Sequence, residues 1–147
     1  MIVAIPIDSF QRVYHYNPCS AMMFALYEIT GVRTNINYRH VESKLNPWKK
    51  CEGEMVSNEQ VKEGKCNREK SNDPHHISEH YALLEVIGKS DYLIAGQYCL
   101  NTFYAMRNVG IKIHKIPPFM KTINEAMNHF IIGAEIADNL QHIHAVS

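Results

Sequence analysis

Two short segments of this chain combine histidine or cysteine with a position where a ligand could bind. His15 and Cys19 follow the first apolar run, and the turn from Gly96 to Cys99 precedes a predicted helix. Backbone N–H groups at a helix N-terminus attract anions, and imidazole and thiolate favour soft metals and iron–sulfur species. The residues selected in this way are His15, Cys19, Gly96, Gln97, Tyr98 and Cys99.

Each of these side chains also has a simpler interpretation. Free cysteine is often a small buried hydrophobe, so Cys99 could serve only packing. His15 could be a loop histidine that bonds to a backbone carbonyl. The sequence leaves both alternatives open.

A second group of candidate metal ligands comprises Cys51, Cys66, His75, His76 and His80. His76 and His80 are four residues apart, which on a helix places two rings on one face and could direct both to one metal. The overall spacing matches no standard zinc pattern. The alternative interpretation is a solvated loop followed by a polar helix face.

The composition narrows the classes of function. Fifteen basic residues balance fifteen acidic ones, so the chain lacks the basic excess typical of nucleic-acid binders. Nine histidines and a sequence pI of about 7.1 mean that mild acid would make the chain cationic. No Walker loop, GxGxxG, GxSxG or CxxC motif occurs, so a nucleotide site, a serine nucleophile and a thioredoxin-like site are not indicated.

The alternation of apolar and polar residues predicts an α/β domain with elements in the order βββαβαβα. The predicted strands are Ile2–Ile7, 22–29, 33–41, Tyr92–Ala95 and Ile111–Ile116. The predicted helices run from Pro74 to Gly88, over 100–109, and from the capping pair Thr122 and Glu125 to about residue 141.

The helices that connect the strands determine which strands we expect to be parallel. The βαβ units require Ile2–Ile7, Tyr92–Ala95 and Ile111–Ile116 to be parallel neighbours. We expect one mixed five-stranded sheet with helices on both faces, a three-layer α/β/α fold. Ligands of such sheets bind at the carboxyl ends of parallel strands, so His15 and Cys99 should lie at the same end.

The whole chain, residues 1–147, is predicted to be a single domain with a polar insert over 46–74. The insert has few aliphatic residues, and we expect residues 49–72 to be mobile without metal. No signal peptide or membrane span is predicted, and the four separated cysteines suit a reducing cytoplasm.

Several motifs, in this order and spacing, resemble the nitrogenase iron–molybdenum cofactor biosynthesis and carrier family. They are MIVAIPID, His15-Tyr16 in place of the family's His-Phe-Gly, FALYEI, HISEHYALLEVIGKSDYLIAGQ, Ala105–Ile111 and TINEAMNHF. They cover most of the chain except residues 46–74 and the last dozen. Two departures are Asn17 at the family's glycine and GQYCLN in place of its glycine-rich turn.

The resemblance implies a ribonuclease-H-like fold and a carrier that is not an enzyme. Its cargo would be iron–molybdenum cofactor or a related iron–sulfur cluster, with His15 as the ligand, and its partners would be cofactor-assembly and acceptor proteins. The alternative is a zinc- or transition-metal-binding regulatory module built on Cys51, Cys66 and the three histidines that follow. A ribonuclease-H-like nuclease rests on fold analogy alone. We expect neither nucleic acid nor membrane as a partner.

Overall fold

The computed structural model describes residues 1–31, 35–46 and 74–133, with the backbone alone for 74–80. Its strands are β1 (Ile2–Ile7), β2 (Met23–Thr30), β3 (Asn37–Leu45), β4 (Tyr92–Ala95) and β5 (Lys112–Lys115). Its helices are α1 (Pro74–Ile87), α2 (Leu100–Asn108) and α3 (residues 123–133), with a 3-10 turn at Pro18–Ser20. The predicted insert over 46–74, apart from its two end residues, and the predicted extension of the last helix to residue 141 lie outside the described residues.

The five strands form one mixed sheet in the order β3-β2-β1-β4-β5. β1 pairs antiparallel with β2, which pairs antiparallel with β3. On its other side β1 is parallel to β4, and β4 is parallel to β5. The predicted α/β class, the five-stranded sheet and the three parallel neighbours are therefore confirmed.

The central position of β1 follows from its composition. Five of its six residues are buried, which suits a strand covered on both faces. Pro6 lacks an N–H group, and it lies near the carboxyl end, beyond the residues Val3 and Ala4 that pair with β4. Its carbonyl accepts a hydrogen bond from the Tyr14 amide at 2.8 Å. The proline thus marks the end of a central strand.

Local residues explain where α2 ends and where α3 begins. Gly110 has φ +80°, a conformation that glycine adopts without strain, and α2 ends two residues earlier. At the start of α3, the Thr122 hydroxyl accepts the Glu125 amide at 3.1 Å and donates to the Glu125 carboxylate at 2.9 Å. The Thr122 hydroxyl thus provides a hydrogen-bond acceptor for one of the N-terminal amides of α3 that have no partner within the helix.

Side chains of the sheet enter two separate hydrophobic clusters. One cluster joins Ala4 and Leu93 to α1 and α2 through residues such as Leu83 and Met106. The other joins Val3, Ile5 and Ile94 to Met127 and Phe130 of α3. Successive strand residues alternate between the clusters, as the period of two in a β-strand requires.

Some predicted details were wrong. The third strand begins at Asn37, four residues later than predicted, because its pairing with Thr30 of β2 determines the start. Two large apolar side chains, Tyr81 of α1 and Val109 just after α2, are 38% and 48% exposed. Tyr81 accepts a hydrogen bond from Asn108 at 2.9 Å, which connects α1 to α2.

Candidate functional site

A cleft of about 410 Å³ lies where the loops after β1, β4 and β5 meet. Its polar lining is made by Asp8, Arg12, His15, Tyr16, Gln97 and Lys121. This is the edge at which open α/β sheets bind ligands. A second cavity, of about 460 Å³, is lined by Ile2, Leu84 and Ser90 among others, and contains none of the predicted site residues. We therefore treat the cleft as the candidate site.

His15 is fixed in the cleft by contacts to two of the three loops. Its Nε2 hydrogen-bonds the Met120 carbonyl, which assigns the ring proton to Nε2 because a carbonyl only accepts. Its Nδ1 is buried without a hydrogen-bond partner. The simpler interpretation of His15 as a carbonyl-bonded loop histidine describes this arrangement. To ligate a metal, the ring would have to leave Met120 or turn away from Gly96.

Gly96 is the position that lets the His15 loop approach the end of β4. A Cβ atom built on Gly96 would overlap Nδ1 of His15 and lie 3.0 Å from the His15 carbonyl oxygen. Gly96 was predicted to form a turn before a helix. The contact with His15 explains why a residue with a side chain would not fit there. The next residue, Gln97, is exposed and lines the cleft, whereas Tyr98 stacks on Phe103 of α2 at a centroid distance of 6.5 Å.

Cys99 is the N-cap residue of α2, and its thiol is partly exposed. The sulfur accepts the Thr102 amide at 3.5 Å and lies 3.4 Å from the Thr102 hydroxyl. That hydroxyl donates to Asn17 Oδ1 at 2.9 Å, which connects the start of α2 to the loop after β1. His15 and Cys99 thus lie at the same end of the sheet, as expected.

Cys19 occupies a different environment from Cys99. It belongs to the 3-10 turn, is 8% exposed and packs in the cluster that contains Phe24. The Asn46 side chain donates to the carbonyls of Cys19 and Ala21, at 2.9 and 2.8 Å, and holds this turn against the end of β3. Contact between Cys19 and a ligand in the cleft stays a prediction.

The second predicted metal group falls largely outside the described residues. Cys51 and Cys66 are not described, and of His75, His76 and His80 only the position in α1 is known. In the part of the chain that the structure describes, no three His, Cys, Asp or Glu side chains are grouped as a metal site would require. The regulatory module therefore stays a prediction.

The charged lining of the cleft contains two cations and one carboxylate. Asp8 Oδ1 accepts the amides of Phe10 and Arg12, at 2.8 and 3.0 Å, and Asp8 Oδ2 lies 3.4 Å from Arg12 Nε. Lys121 takes part in none of the ion pairs among the described residues. The carboxylate is thus engaged in its own turn, and the balance of charge in the cleft favours an anion.

Tyr14, also in the cleft wall, is not a proton acceptor at neutral pH. Burial raises its pKa to about 12, although a 2.8 Å hydrogen bond to the Ser20 hydroxyl acts in the opposite direction. The phenol therefore remains protonated. Its ring packs edge to face with Tyr16 at a centroid distance of 5.4 Å and gives the cleft an aromatic wall.

Sequence reasoning missed the two cations and Met120. Lys121 and Met120 follow β5, the third parallel strand, so the carboxyl-end rule that selected the other two loops could have found them. Arg12 could have been found from its spacing of four residues from Asp8. The His15–Met120 contact spans 105 positions and has no signal in the sequence.

Comparisons with known proteins identify no relative of this chain, since no family model, curated protein or solved structure matches it. The motifs described above are therefore a resemblance only. Among the described residues, no helix combines the length and hydrophobicity that crossing a bilayer requires.

Proposed function

We propose that this protein is a non-catalytic carrier that holds an anionic metal–sulfur cofactor in the cleft at the carboxyl ends of β1, β4 and β5. The cargo is iron–molybdenum cofactor or a related iron–sulfur cluster. The observation that supports this most directly is the close approach of the His15 ring to the Gly96 turn at the cleft that Arg12 and Lys121 line. The Cys99 N-cap lies at the same end of the sheet.

The contacts of His15 suit a ligand that must be exchanged. A metal corner would replace the Met120 carbonyl at Nε2, and the ring proton would move from Nε2 to Nδ1. The cargo would thus gain one ligand at the cost of the hydrogen bond to Met120. A carrier has to release its cargo to an acceptor, and a site with few protein ligands makes release easier. The backbone of the turn from Gly96 to Leu100 would receive the negative charge of the cluster.

We infer that the fold is a three-layer ribonuclease-H-like arrangement. The strand order β3-β2-β1-β4-β5 and the two hydrophobic clusters, which contain α1 with α2 and α3 respectively, support this inference. The partners would be cofactor-assembly and acceptor proteins rather than nucleic acid or membrane. A reducing cytoplasm suits the thiols of Cys19 and Cys99.

The test is anaerobic incubation of the purified protein with isolated iron–molybdenum cofactor or, for an iron–sulfur cluster, with ferrous and ferric iron and sulfide, followed by metal and sulfide analysis. We expect a brown wild-type protein, and at least a several-fold loss of bound iron and sulfide in His15→Ala and Cys99→Ser. His40→Ala is the matched control, because His40 is an exposed histidine on β3. Thermal unfolding measured in parallel should show that the variants remain folded.

Three outcomes would contradict parts of the proposal. Equal loading of His15→Ala, Cys99→Ser and the wild type would show that the cargo does not bind in the cleft. A colourless protein that retains one zinc would favour the regulatory module instead. Normal loading of Cys19→Ala would show that Cys19 is not a ligand.

A further inference from the structure

His114 of β5 and His129 of α3 form a direct ring-to-ring contact. His114 Nε2 lies 2.9 Å from His129 Nδ1, and the ring centroids are 5.1 Å apart. The nitrogens therefore lie close to the line between the ring centres and point at each other, which is the geometry of an N–H···N hydrogen bond. Neither histidine is among the residues that line the cleft.

The pair is half-buried between β5 and α3. The His114 ring meets the edge of Phe130 at a centroid distance of 5.2 Å, and a Cβ atom on Gly133 would lie 3.3 Å from His114 Cε1. Burial, and then the charge on a protonated His129, lower the pKa of His114. Both effects oppose protonation of the His114 ring.

Among the described residues of β5 and α3, Lys112 and Glu125 are the charged side chains nearest to the pair on its side of the sheet. Lys112 precedes His114 on the same side of β5, with its Nζ 6.0 Å from the Tyr92 ring of β4, and it adds to the positive potential. On α3, Glu125 lies one turn before His129, but its carboxylate accepts from Thr122. None of the ion pairs among the described residues includes either histidine.

We propose that the His114–His129 pair is a pH-sensitive switch that joins α3 to the sheet and opens when both rings are protonated. With one added proton the rings still share a single N–H···N bond. With two, each facing nitrogen carries a hydrogen, so the contact has no acceptor and two positive charges meet.

The switch acts on the wall of the cleft through the chain that leads into α3. Residues Met120 and Lys121 precede that helix, and the Lys121 carbonyl accepts the Val13 amide at 2.9 Å. Loosening of α3 would weaken this contact and the one between Met120 and His15. The inference does not depend on what the cleft binds.

The direction of the pH effect follows from the lowered pKa of His114. A histidine whose pKa is lower in the folded state favours the folded protein in full above its unfolded value, near 6.5, and this contribution is lost as the pH falls below that value. We therefore expect acid to destabilise the protein through this pair, from just below pH 6.5 downward.

The experiment is urea unfolding of the full chain at several pH values between 7.5 and 5. His114→Gln and His129→Asn place an amide near the original nitrogen and do not titrate, and His40→Gln is the control. The unfolding constant of the wild type and the control should rise on acidification by up to about tenfold per pH unit more than that of His114→Gln. His129→Asn retains the buried His114 and should show an intermediate pH dependence. Variants that keep the wild-type pH dependence would overturn the proposal.

A second measurement on the wild type keeps the test valid if the variants do not fold. NMR titration of the ring protons should show His114 and His129 titrating as a coupled pair, and the Val13 amide should lose exchange protection in the same pH range. Two independent ring titrations, or a Val13 amide whose protection does not follow them, would overturn the proposal.

Discussion

At the scale of single residues, the close approach of Gly96 and His15 determines the shape of the cleft. Gly96→Ala should destabilise the protein by about 1–3 kcal/mol, the usual cost of overpacking a buried position, because the new methyl group overlaps Nδ1 of His15. Chemical denaturation measures this change in the free energy of unfolding.

The double variant Gly96→Ala/His15→Ala serves as the control for this prediction. Removal of the ring should restore part of the lost stability, but not all of it, since the His15 carbonyl oxygen would still lie 3.0 Å from the new methyl group. Additive effects of the two substitutions would show that ring and glycine are not coupled.

The sequence placed His15 and Cys99 at the same end of the sheet but did not determine what each contacts. The rule that ligands bind at carboxyl strand ends depends only on the order of elements, so it could be applied without coordinates. The bond from His15 to Met120, the burial of Cys19 and the contact of Thr102 with Asn17 depend on how distant loops pack. Side-chain types and spacing carry no record of such packing.

At the scale of secondary structure, the start of α3 offers a direct test of a sequence motif. Thr122→Ala removes the hydroxyl that accepts the Glu125 amide, and should lower the free energy of unfolding by about 1 kcal/mol. Thr122→Ser keeps the hydroxyl and should remain close to the wild type. Urea denaturation of both variants checks this, and an equal loss in both would contradict a capping role.

The bounds of β3 were displaced by four residues, whereas the described helix ends were predicted to within one residue, and the difference has a physical reason. Gly110 and the pair Thr122 and Glu125 act locally, through backbone conformation and hydrogen bonds within a few residues. The start of β3 depends on its partner β2, and most of its residues are exposed, so polar alternation alone gave no boundary. Strand pairing is a property of two segments, and one segment's pattern cannot fix it.

At the scale of the whole molecule, the two hydrophobic clusters share the central strands and should unfold together. Met106→Ala empties a fully buried position in the cluster of α1 and α2, and Met127→Ala does so in the cluster of α3. Each should cost about 2–5 kcal/mol of stability in a single transition. Far- and near-ultraviolet circular dichroism during urea unfolding would show whether there is a single transition. Separate transitions for the two clusters would contradict the prediction that they unfold together.

The position of α3 at the end of the described chain has a consequence for synthesis on the ribosome. Strands β1 to β3 can pair as they leave the exit tunnel, but Val3 and Ile5 reach their partners Met127 and Phe130 only more than a hundred residues later. Until then one apolar side of the nascent sheet has no cover from α3. The growing chain therefore presents a chaperone-binding surface for most of its translation, and premature termination before α3 would leave that surface permanently open.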